Sequence, residues 1–288
     1  MADRPVHYLV IGHVAKDLTP GRNLPREHTL GGTVSFSALT AMNLDYTPGI
    51  VTAHAGEVDL TPLAGLPMAA LESPATTTFE NIYTGGGRLQ YLRAQARPLT
   101  AEAVPTNWLR APIVHLGPLD REVDSALAAA FSGAFLGLTP QGWLRQWDAD
   151  GRVQPAVVDW PEAPEVLGHA GAAVLSIDDL GGDWAVAEQW AKLARVLVIT
   201  QGAEGCTVFV RGQGARTFRG APQVEVDPTG AGDIFATAYF INLYETGDPW
   251  GSARFANQMA GISVTRPGLS GVPSRDEAGY CRARAARG

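Results

Sequence analysis

The feature that most constrains the fold is a regular alternation of short apolar segments and helical segments from residue 113 onward. Apolar runs of strand length occupy residues 113–116, 134–138, 172–175 and 196–200. Helical patterns fill residues 121–131 and 183–193. Strands that alternate with helices favour a mostly parallel sheet with helices on both faces. A chain of 288 residues is long enough for one large α/β domain with a small addition.

The two ends of the chain fit the same plan. An apolar run over residues 6–11 ends at a glycine, as a buried strand does, and residues 33–42 and 49–53 predict a helix and a second strand. Two helices are predicted at residues 233–245 and 250–264. The first of them is apolar nearly all round, which indicates a buried helix. The Ala/Arg-rich tail from residue 281 predicts a frayed or solvated end.

Between residues 67 and 96 the pattern changes. Residues 76–79 and 88–93 alternate on either side of three glycines, which predicts an antiparallel hairpin. We interpret this region as part of a small β appendage. Because a small, half-covered sheet leaves an apolar face and unpaired edges, it also predicts association into a homodimer.

Composition excludes several classes of function. The net charge of −7 argues against nucleic acid as the main partner. Two distant cysteines, Cys206 and Cys281, build neither a disulfide framework nor a thiolate metal cage, so a reducing cytosol is expected. No apolar run is long enough for a signal-peptide core or a membrane span. The six histidines show no metal-ligand spacing and are interpreted as structural.

The strongest chemical signal is a glycine-rich turn, residues 227–233, that leads directly into the apolar helix. Gly230 and Gly232 allow a sharp turn and a close approach of backbone to ligand. The first N–H groups of a helix have no internal partner and, with the helix dipole, form an anion site. Asp233 in the first turn suits a general base beside a phosphoryl group. An ordinary helix cap at Asp233 explains the same residues equally well.

The sequence resembles one known family along essentially its whole length. Residues 226–235 look like the second signature of the ribokinase-like, or PfkB, carbohydrate kinases. Weaker matches follow in the family's order at Gly31–Gly32 with Gly56 and Asp59, at residues 198–205, and at residues 256–257 and 264–268. The resemblance implies a three-layer αβα, doubly wound, mostly parallel sheet with a small β-sheet lid. It also implies one domain over residues 1–288, with the lid mainly from about 13–32 and 67–97.

The resemblance implies a role for particular residues of an ATP-dependent kinase. Asp233 would be the general base, with Gly230, Ala231 and Gly232 as the anion hole. Thr200, Gly202, Gly205 and Thr229 would line the ATP phosphates and ribose, and Asn257 would lie near the adenine. Asp17 would accept bonds from substrate hydroxyls, although a turn or helix cap explains it too. Gly31 and Gly32 would form the hinge where the lid closes.

Metal ions are implied through the nucleotide. ATP is used as its magnesium complex, so Mg²⁺ is expected. The family often holds it through an Asn-x-x-Glu element, where this chain has the sequence from Ser176 to Asp179. Either Ser176 with Asp179, or Asp178 alone, would take that place. The resemblance also implies a monovalent-cation site, such as K⁺, near Asp227.

The acceptor is the least constrained part of the expected reaction. Phe36 stands where the family's first signature usually has a sugar-contacting asparagine, so a standard furanose contact is missing. Residues 31–36, 77–80, 141–145 and 202–206 resemble the plant-type myo-inositol kinases. Gln141 and Arg145 could reach substrate or phosphate, and a surface helix explains them equally well. We therefore expect a cyclitol, best myo-inositol.

Other interpretations of the sequence stay open. Within the family the acceptor could be a sugar such as ribose or fructose, or a nucleoside. A ligand-binding protein that kept the fold without catalysis is the rival from another class, and the intact turn at Gly230 argues against it. A dinucleotide-dependent oxidoreductase and a Walker-type kinase are both disfavoured, because neither glycine motif is present.

Overall fold

We describe the fold from a computed structural model, over residues 5–19, 28–84, 87–154 and 160–286. The strands are β1 (Tyr8–Ile11), β2 (Ala15–Leu18), β3 (Thr29–Gly31), β4 (Pro48–His54), β5 (Met68–Glu72), β6 (Thr77–Thr84), β7 (Gly87–Ala94), β8 (Ile113–Leu116), β9 (Phe135–Leu138), β10 (Gln146–Trp147), β11 (Val153–Gln154), β12 (Ala172–Ser176), β13 (Val196–Thr200), β14 (Gly205–Val210) and β15 (Gly214–Arg219). The helices are α1 (Thr33–Asn43), α2 (Leu127–Ala130), α3 (Gln141–Leu144), α4 (Ala163–His169), α5 (Trp184–Trp190), α6 (Ala231–Thr246), α7 (Pro249–Ser263) and α8 (Arg275–Ala285).

A large twisted sheet forms the centre of the molecule. Over the described ranges it has nine strands in the order β15-β14-β13-β12-β9-β8-β1-β4-β5. Every neighbouring pair from β5 to β13 is parallel, and β14 and β15 add an antiparallel hairpin at one edge. The strands β1 and β8 are buried along their whole length, as the apolar runs in the sequence predict. The predicted α/β class is confirmed.

Helices cover both faces of this sheet. The apolar side chains of α1, α6, α7 and α8 join one core cluster, and those of α2, α4 and α5 join a second cluster on the opposite face. Helix α6 is buried from Ile234 to Ile241, in agreement with its apolar sequence. The two clusters give the predicted three layers.

A second, smaller sheet lies apart from the large one, and we call it the lid. Its four strands have the order β3-β2-β6-β7 within the described residues. Strands β6 and β7 form the predicted antiparallel hairpin. Strand β5, which the sequence assigned to the lid, instead pairs in parallel with β4 over five residues and extends the large sheet. Residues 20–27 of the predicted lid lie outside the described residues.

Two predicted elements were wrong. The helix expected at residues 121–131 is reduced to α2, because Arg121 has a left-handed φ of 68° and the Glu122 carboxylate accepts backbone bonds from Leu119 and Asp120. The tail expected to fray is helical as α8, with Cys281 fully buried in the core. A Ser274–Glu277 capping box starts α8, and one face of small residues packs on the domain.

Among the helices of the described ranges, none is both long and apolar enough to cross a lipid bilayer.

Candidate active site

A cavity of about 480 Å³ lies between the lid and the carboxyl ends of the large sheet's strands. In an open parallel sheet this edge is where ligands bind. The structure brings most of the predicted site residues to its wall: Asp17, Gly32, Phe36, Gln141, Arg145, Asp178, Asp179, Thr200, Gly202, Thr229, Gly230, Ala231, Gly232 and Asp233. Other wall residues were not foreseen from the sequence, among them Thr33, Phe79, Gln90, Leu119 and Thr139.

Asp233 is the third residue of α6, and its carboxyl accepts a hydrogen bond from the Thr33 side chain at the start of α1. Burial raises the pKa of Asp233 to about 6. The bond from Thr33 and the charge of Arg145 oppose that rise, whereas Asp17 and Asp179 add to it. A carboxylate with this pKa is ionised at neutral pH and is a stronger base than an exposed one.

The turn before α6 has the shape of an anion site. Gly230 caps the helix with φ 79°, and a β-carbon there would lie 2.3 Å from the Phe36 ring. The Ala231 N–H is bonded to the Pro228 carbonyl at 3.2 Å. The N–H groups of Gly232 and Asp233 have no acceptor inside the helix. They are available to a negatively charged ligand at the positive end of the helix dipole.

Two predicted site residues have structural roles of their own. The Asp227 carboxylate accepts the Thr229 hydroxyl at 2.6 Å and the Gly268 N–H at 2.9 Å, so it fixes the turn and holds the Thr229 side chain. Phe36 is 1% exposed, and its ring packs under Gly230. The phenylalanine therefore supports the turn as well as lining the cavity.

The lid brings a polar chain of side chains to the cavity. The Asn81 amide donates to the Asp17 carboxylate at 3.2 Å, and the Gln90 amide donates to Asn81 at 3.0 Å. Gly31 lies directly under Asp17, because a β-carbon at Gly31 would be 2.0 Å from the carboxylate oxygen. Asn81 and Gln90 face each other across β6 and β7, a pairing that only the strand register reveals.

The opposite wall carries the cavity's positive charge. Among the described residues that line the cavity, Arg145 is the only cation, beside four aspartates. Its guanidinium donates to the Leu119 carbonyl at 3.0 Å and lies 5.2 Å from the centre of the Phe79 ring. The Gln141 amide donates to the Asp179 carboxylate at 2.8 Å. Gln141 and Arg145 thus both contact other residues of the cavity wall, which a position on a surface helix alone does not explain.

The two candidate metal ligands differ in their surroundings. Asp179 accepts bonds from the Ser176 N–H and from Gln141, and burial raises its pKa despite those bonds. Asp178 is exposed at the cavity wall. An exposed carboxylate at the wall of this cavity fits Mg²⁺, which keeps several water ligands and uses few protein oxygens.

A second cavity of about 430 Å³ adjoins the first. The two share Thr200, Gly202, Pro228, Ala231 and Gly232 as common wall. The residues that line only this second cavity include Gly205, Ala221, Pro222, Asn257, Ala260 and Val264. The Asn257 amide donates to the Phe218 and Arg219 carbonyls, so it holds the wall of this cavity together. Of the predicted nucleotide residues, Gly205 and Asn257 line this second cavity alone, Thr200 and Gly202 line both cavities, and Thr229 lines the first, where the predicted acceptor residues also lie.

Known proteins resemble this chain both in its fold and in the segment that contains the turn before α6. Residues 161–275 match the family model described as pfkB family carbohydrate kinase. The match supports the resemblance to the PfkB carbohydrate kinases over those residues, and solved structures of the ribokinase family share the fold of nearly the whole chain. The matched model is one of carbohydrate kinases, the enzyme class expected from the sequence.

Individual relatives refine this picture. A segment of 93 residues is 36% identical to the ribokinase of Bacillus subtilis (strain 168), covering 32% of the chain and 31% of that enzyme. The match thus spans about a third of the curated relative's length. A pyrophosphate-dependent kinase of the ribokinase family, complexed with a pyrophosphate analog and myo-inositol, has TM-score 0.76 at 22% identity over 94% of this chain and 98% of its own. Arabidopsis thaliana ribokinase, complexed with ribose and ATP, has TM-score 0.72 at 18% identity over 97% and 99%.

Proposed function

We propose that the chain is an ATP-dependent phosphotransferase that phosphorylates a hydroxyl of a small polyol or sugar. One observation carries the proposal. Asp233, with a pKa raised to about 6, lies beside the open N–H groups at the start of α6, where the two cavities meet. A base and an anion site at one junction are what phosphoryl transfer to an alcohol requires.

The chemistry follows from this arrangement. An acceptor hydroxyl in the lid-side cavity gives its proton to the Asp233 carboxylate and attacks the terminal phosphorus of the donor. The bond from that phosphorus to the bridging oxygen breaks, the electron pair stays on that oxygen, and ADP leaves. The N–H groups of Gly232 and Asp233 stabilise the developing charge on the phosphoryl oxygens. A single donor of this type is worth about 3 kcal/mol of transition-state stabilisation.

The wall of the acceptor cavity favours a neutral polyol. The lid side presents the Asp17 carboxylate, braced by Asn81, and the Gln90 amide. Carboxylates and amides accept and donate to hydroxyls, whereas four aspartates around one Arg145 disfavour an already phosphorylated substrate. We propose a cyclitol, with myo-inositol as the best candidate. The likeness to a kinase solved with myo-inositol and the apolar Phe36 support it. A ribose- or fructose-type sugar and a nucleoside are the alternatives.

The second cavity favours a nucleotide as the donor. Its wall combines apolar residues such as Pro222, Phe235 and Val264 with a few polar ones, which suits the flat base of a nucleotide beside the phosphate turn. A pyrophosphate donor, as named for one structural neighbour, would leave that cavity wall unused. Mg²⁺ bound to the phosphates would offset their charge, and Asp178 and Asp179 are the residues that would hold it. A monovalent cation such as K⁺ near Asp227 is part of the same proposal.

A panel assay tests the function. Cyclitols, pentoses, hexoses and nucleosides are incubated singly with ATP or pyrophosphate, with and without excess EDTA, and product phosphate esters are detected by ³¹P NMR. We expect ATP-dependent, EDTA-sensitive transfer that is fastest with myo-inositol. Clear turnover of a nucleoside or hexose with none of any cyclitol would contradict the acceptor. Turnover with pyrophosphate alone would contradict the donor.

The lid also supports a proposal about assembly. Its sheet is only partly covered, with edge strands β3 and β7, so we propose a homodimer through the lid in the cytosol. Light scattering is expected to give about twice the monomer mass of 30.4 kDa. A monomer mass over the concentration range used for the assay would contradict it.

A further inference from the structure

The connections between the lid and the large domain all pass through one buried cluster. His13 lies on the link from β1 to β2, Thr77 begins β6, and Arg97 follows β7. The fourth connection passes Gly32, where a β-carbon would lie 2.4 Å from the His13 carbonyl. Neither His13 nor its partner Asp120 is used by the proposed chemistry, yet they are 0% and 2% exposed.

The hydrogen bonds of this cluster determine where its protons are. His13 Nε2 lies 2.8 Å from the Arg97 carbonyl, which can only accept, so Nε2 carries a proton. His13 Nδ1 lies 2.7 Å from the Thr77 hydroxyl oxygen and 3.5 Å from Asp120 Oδ1. Thr77 in turn lies 3.2 Å from Asp120 Oδ2 and accepts the Ala96 N–H at 3.0 Å.

The Thr77 hydroxyl can donate one hydrogen bond, and two acceptors are within reach: His13 Nδ1 and Asp120 Oδ2. If it went to His13 Nδ1, the buried Asp120 side chain would lose its hydrogen bond from Thr77, and its Oδ1 already has no hydrogen-bond partner. The other side chains that contact this carboxyl are His13 and the acid Glu122, and losing a hydroxyl donor is costly for a buried carboxylate, so the hydrogen belongs to Asp120. Nδ1 must then bring its own proton to Thr77, and His13 is an imidazolium ion.

The charges around the ring agree with that assignment. Burial alone would lower the pKa of His13, but the negative charges of Glu122 and Asp120 outweigh it and raise the pKa above its usual value. Burial raises the pKa of Glu122 to about 7, whereas the contacts of Asp120 lower its pKa, so Asp120 is the carboxylate that stays charged at neutral pH. Both carboxylates come from the loop after β8, whereas the described residues on the lid side offer the ring the Thr77 hydroxyl and the Arg97 carbonyl. Glu122 also accepts the His13 backbone N–H at 3.0 Å.

We propose that His13 is a positioning residue: as an imidazolium paired with Asp120, it fixes the lid, and with it Asp17, over the acceptor cavity. Asp17 is in β2, which begins two residues after His13, and the same loop that carries Asp120 supplies the Leu119 carbonyl that holds Arg145. The pair therefore sets two walls of the cavity relative to each other. Its kinetic consequence rests on the proposed function, whereas its protonation and its effect on the lid do not.

The same side-chain types could ligate a divalent cation, since His13, Asp120 and Glu122 each bring a ligand atom within 4.8 Å of the others. Here the Glu122 oxygens already accept backbone N–H groups from His13, Leu119 and Asp120. The Thr77 hydroxyl occupies the position next to Nδ1. The possible ligand atoms are therefore already engaged in hydrogen bonds, and we assign a proton rather than a metal ion to His13 Nδ1. A metal ion bound at this cluster in the purified protein would contradict that assignment.

The first test needs no variant. In the ¹⁵N-labelled wild-type protein at pH 7, the His13 ring is identified by its contacts with the Thr77 methyl group. We expect both ring nitrogens to show the chemical shifts of protonated imidazolium, and elemental analysis to find no stoichiometric transition metal. A neutral ring with one proton would overturn the proposal whether or not the chain is a kinase.

The second test separates positioning from stability. His13→Gln retains a donor for the Arg97 carbonyl but cannot carry the charge, and Asp120→Asn removes the partner charge. Either variant is expected to increase hydrogen–deuterium exchange in β6 and β7 without affecting β8 and β12. It should also raise the acceptor KM by about tenfold or more while the ATP KM and kcat change by less than about threefold.

The matched control is Leu167→Ala, at a fully buried core position of α4. It should lower the unfolding midpoint without changing lid exchange or the acceptor KM. The three variants are compared at similar unfolding midpoints. If hydrogen–deuterium exchange in β6 and β7 increases no more in His13→Gln and Asp120→Asn than in Leu167→Ala, the proposal is wrong. Lid exchange is measured on the free protein, so this comparison tests the proposal even if no acceptor is ever found.

Discussion

Asp233→Asn is expected to reduce kcat by about 10²–10⁴-fold while ATP binding stays nearly unchanged. Asparagine has the same shape and still accepts the bond from Thr33, but it cannot take the proton of an acceptor hydroxyl. Because the pKa of Asp233 is raised to about 6, wild-type kcat should also fall as the pH drops below that value. Single-turnover assays and ATP titrations by calorimetry measure the two quantities. Normal turnover by Asp233→Asn would contradict the mechanism.

Asp233→Asn, which should reduce kcat, is expected to increase the stability of the folded protein at neutral pH. An acid whose pKa is raised from 3.8 to about 6 by folding loses stability as the pH rises through that interval, because the unfolded chain releases the proton more readily. The Asp233→Asn substitution removes this cost, which is up to about 3 kcal/mol at neutral pH. The unfolding midpoint of the variant should therefore exceed that of the wild type at pH 7, and the difference should shrink toward pH 4. A variant that is less stable at pH 7 would show that Asp233 stabilises the helix as an ordinary cap.

The candidate base and its turn could be predicted from the sequence because their chemistry is local. Gly230, Gly232 and Asp233 are neighbours in the chain, and the start of a helix offers N–H groups whatever surrounds it. The alternation of strands and helices likewise predicted the layers of the fold, since the apolar runs are buried between core clusters on both faces of the sheet.

The residues missed by the sequence depend on register and on distant contacts. Asn81 and Gln90 reach Asp17 only through the pairing of β2 with β6 and of β6 with β7. His13 meets Asp120 across more than a hundred residues, so no spacing in the sequence signals the pair. Helix α8 was missed for another reason: its sequence is polar apart from one narrow face, and burial comes from the neighbour it packs against.

Two glycines of the turn should fail in different ways when each is changed to alanine. At Gly230 the backbone φ is 79°, and the new β-carbon would lie 2.3 Å from the Phe36 ring. Left-handed strain and displacement of a buried ring together should cost about 2–5 kcal/mol of unfolding free energy. Gly232 has an ordinary φ and open space around a β-carbon, so Gly232→Ala should leave stability unchanged or raise it by up to about 1 kcal/mol.

Activity and stability should respond differently to the change at Gly232. The Gly232→Ala variant should lose activity although it keeps its stability. Gly232 lines both cavities, so an added methyl group stands where the donor phosphate approaches the helix and should lower kcat/KM by at least about tenfold. The control is Gly279→Ala in α8, which also meets open space but lies away from both cavities, and it should be neutral in both measurements. Denaturant unfolding and steady-state kinetics on the three variants are sufficient. If Gly232→Ala retained full activity, the phosphate would have to bind away from the start of α6, and the site proposed at Gly230 to Asp233 would be wrong.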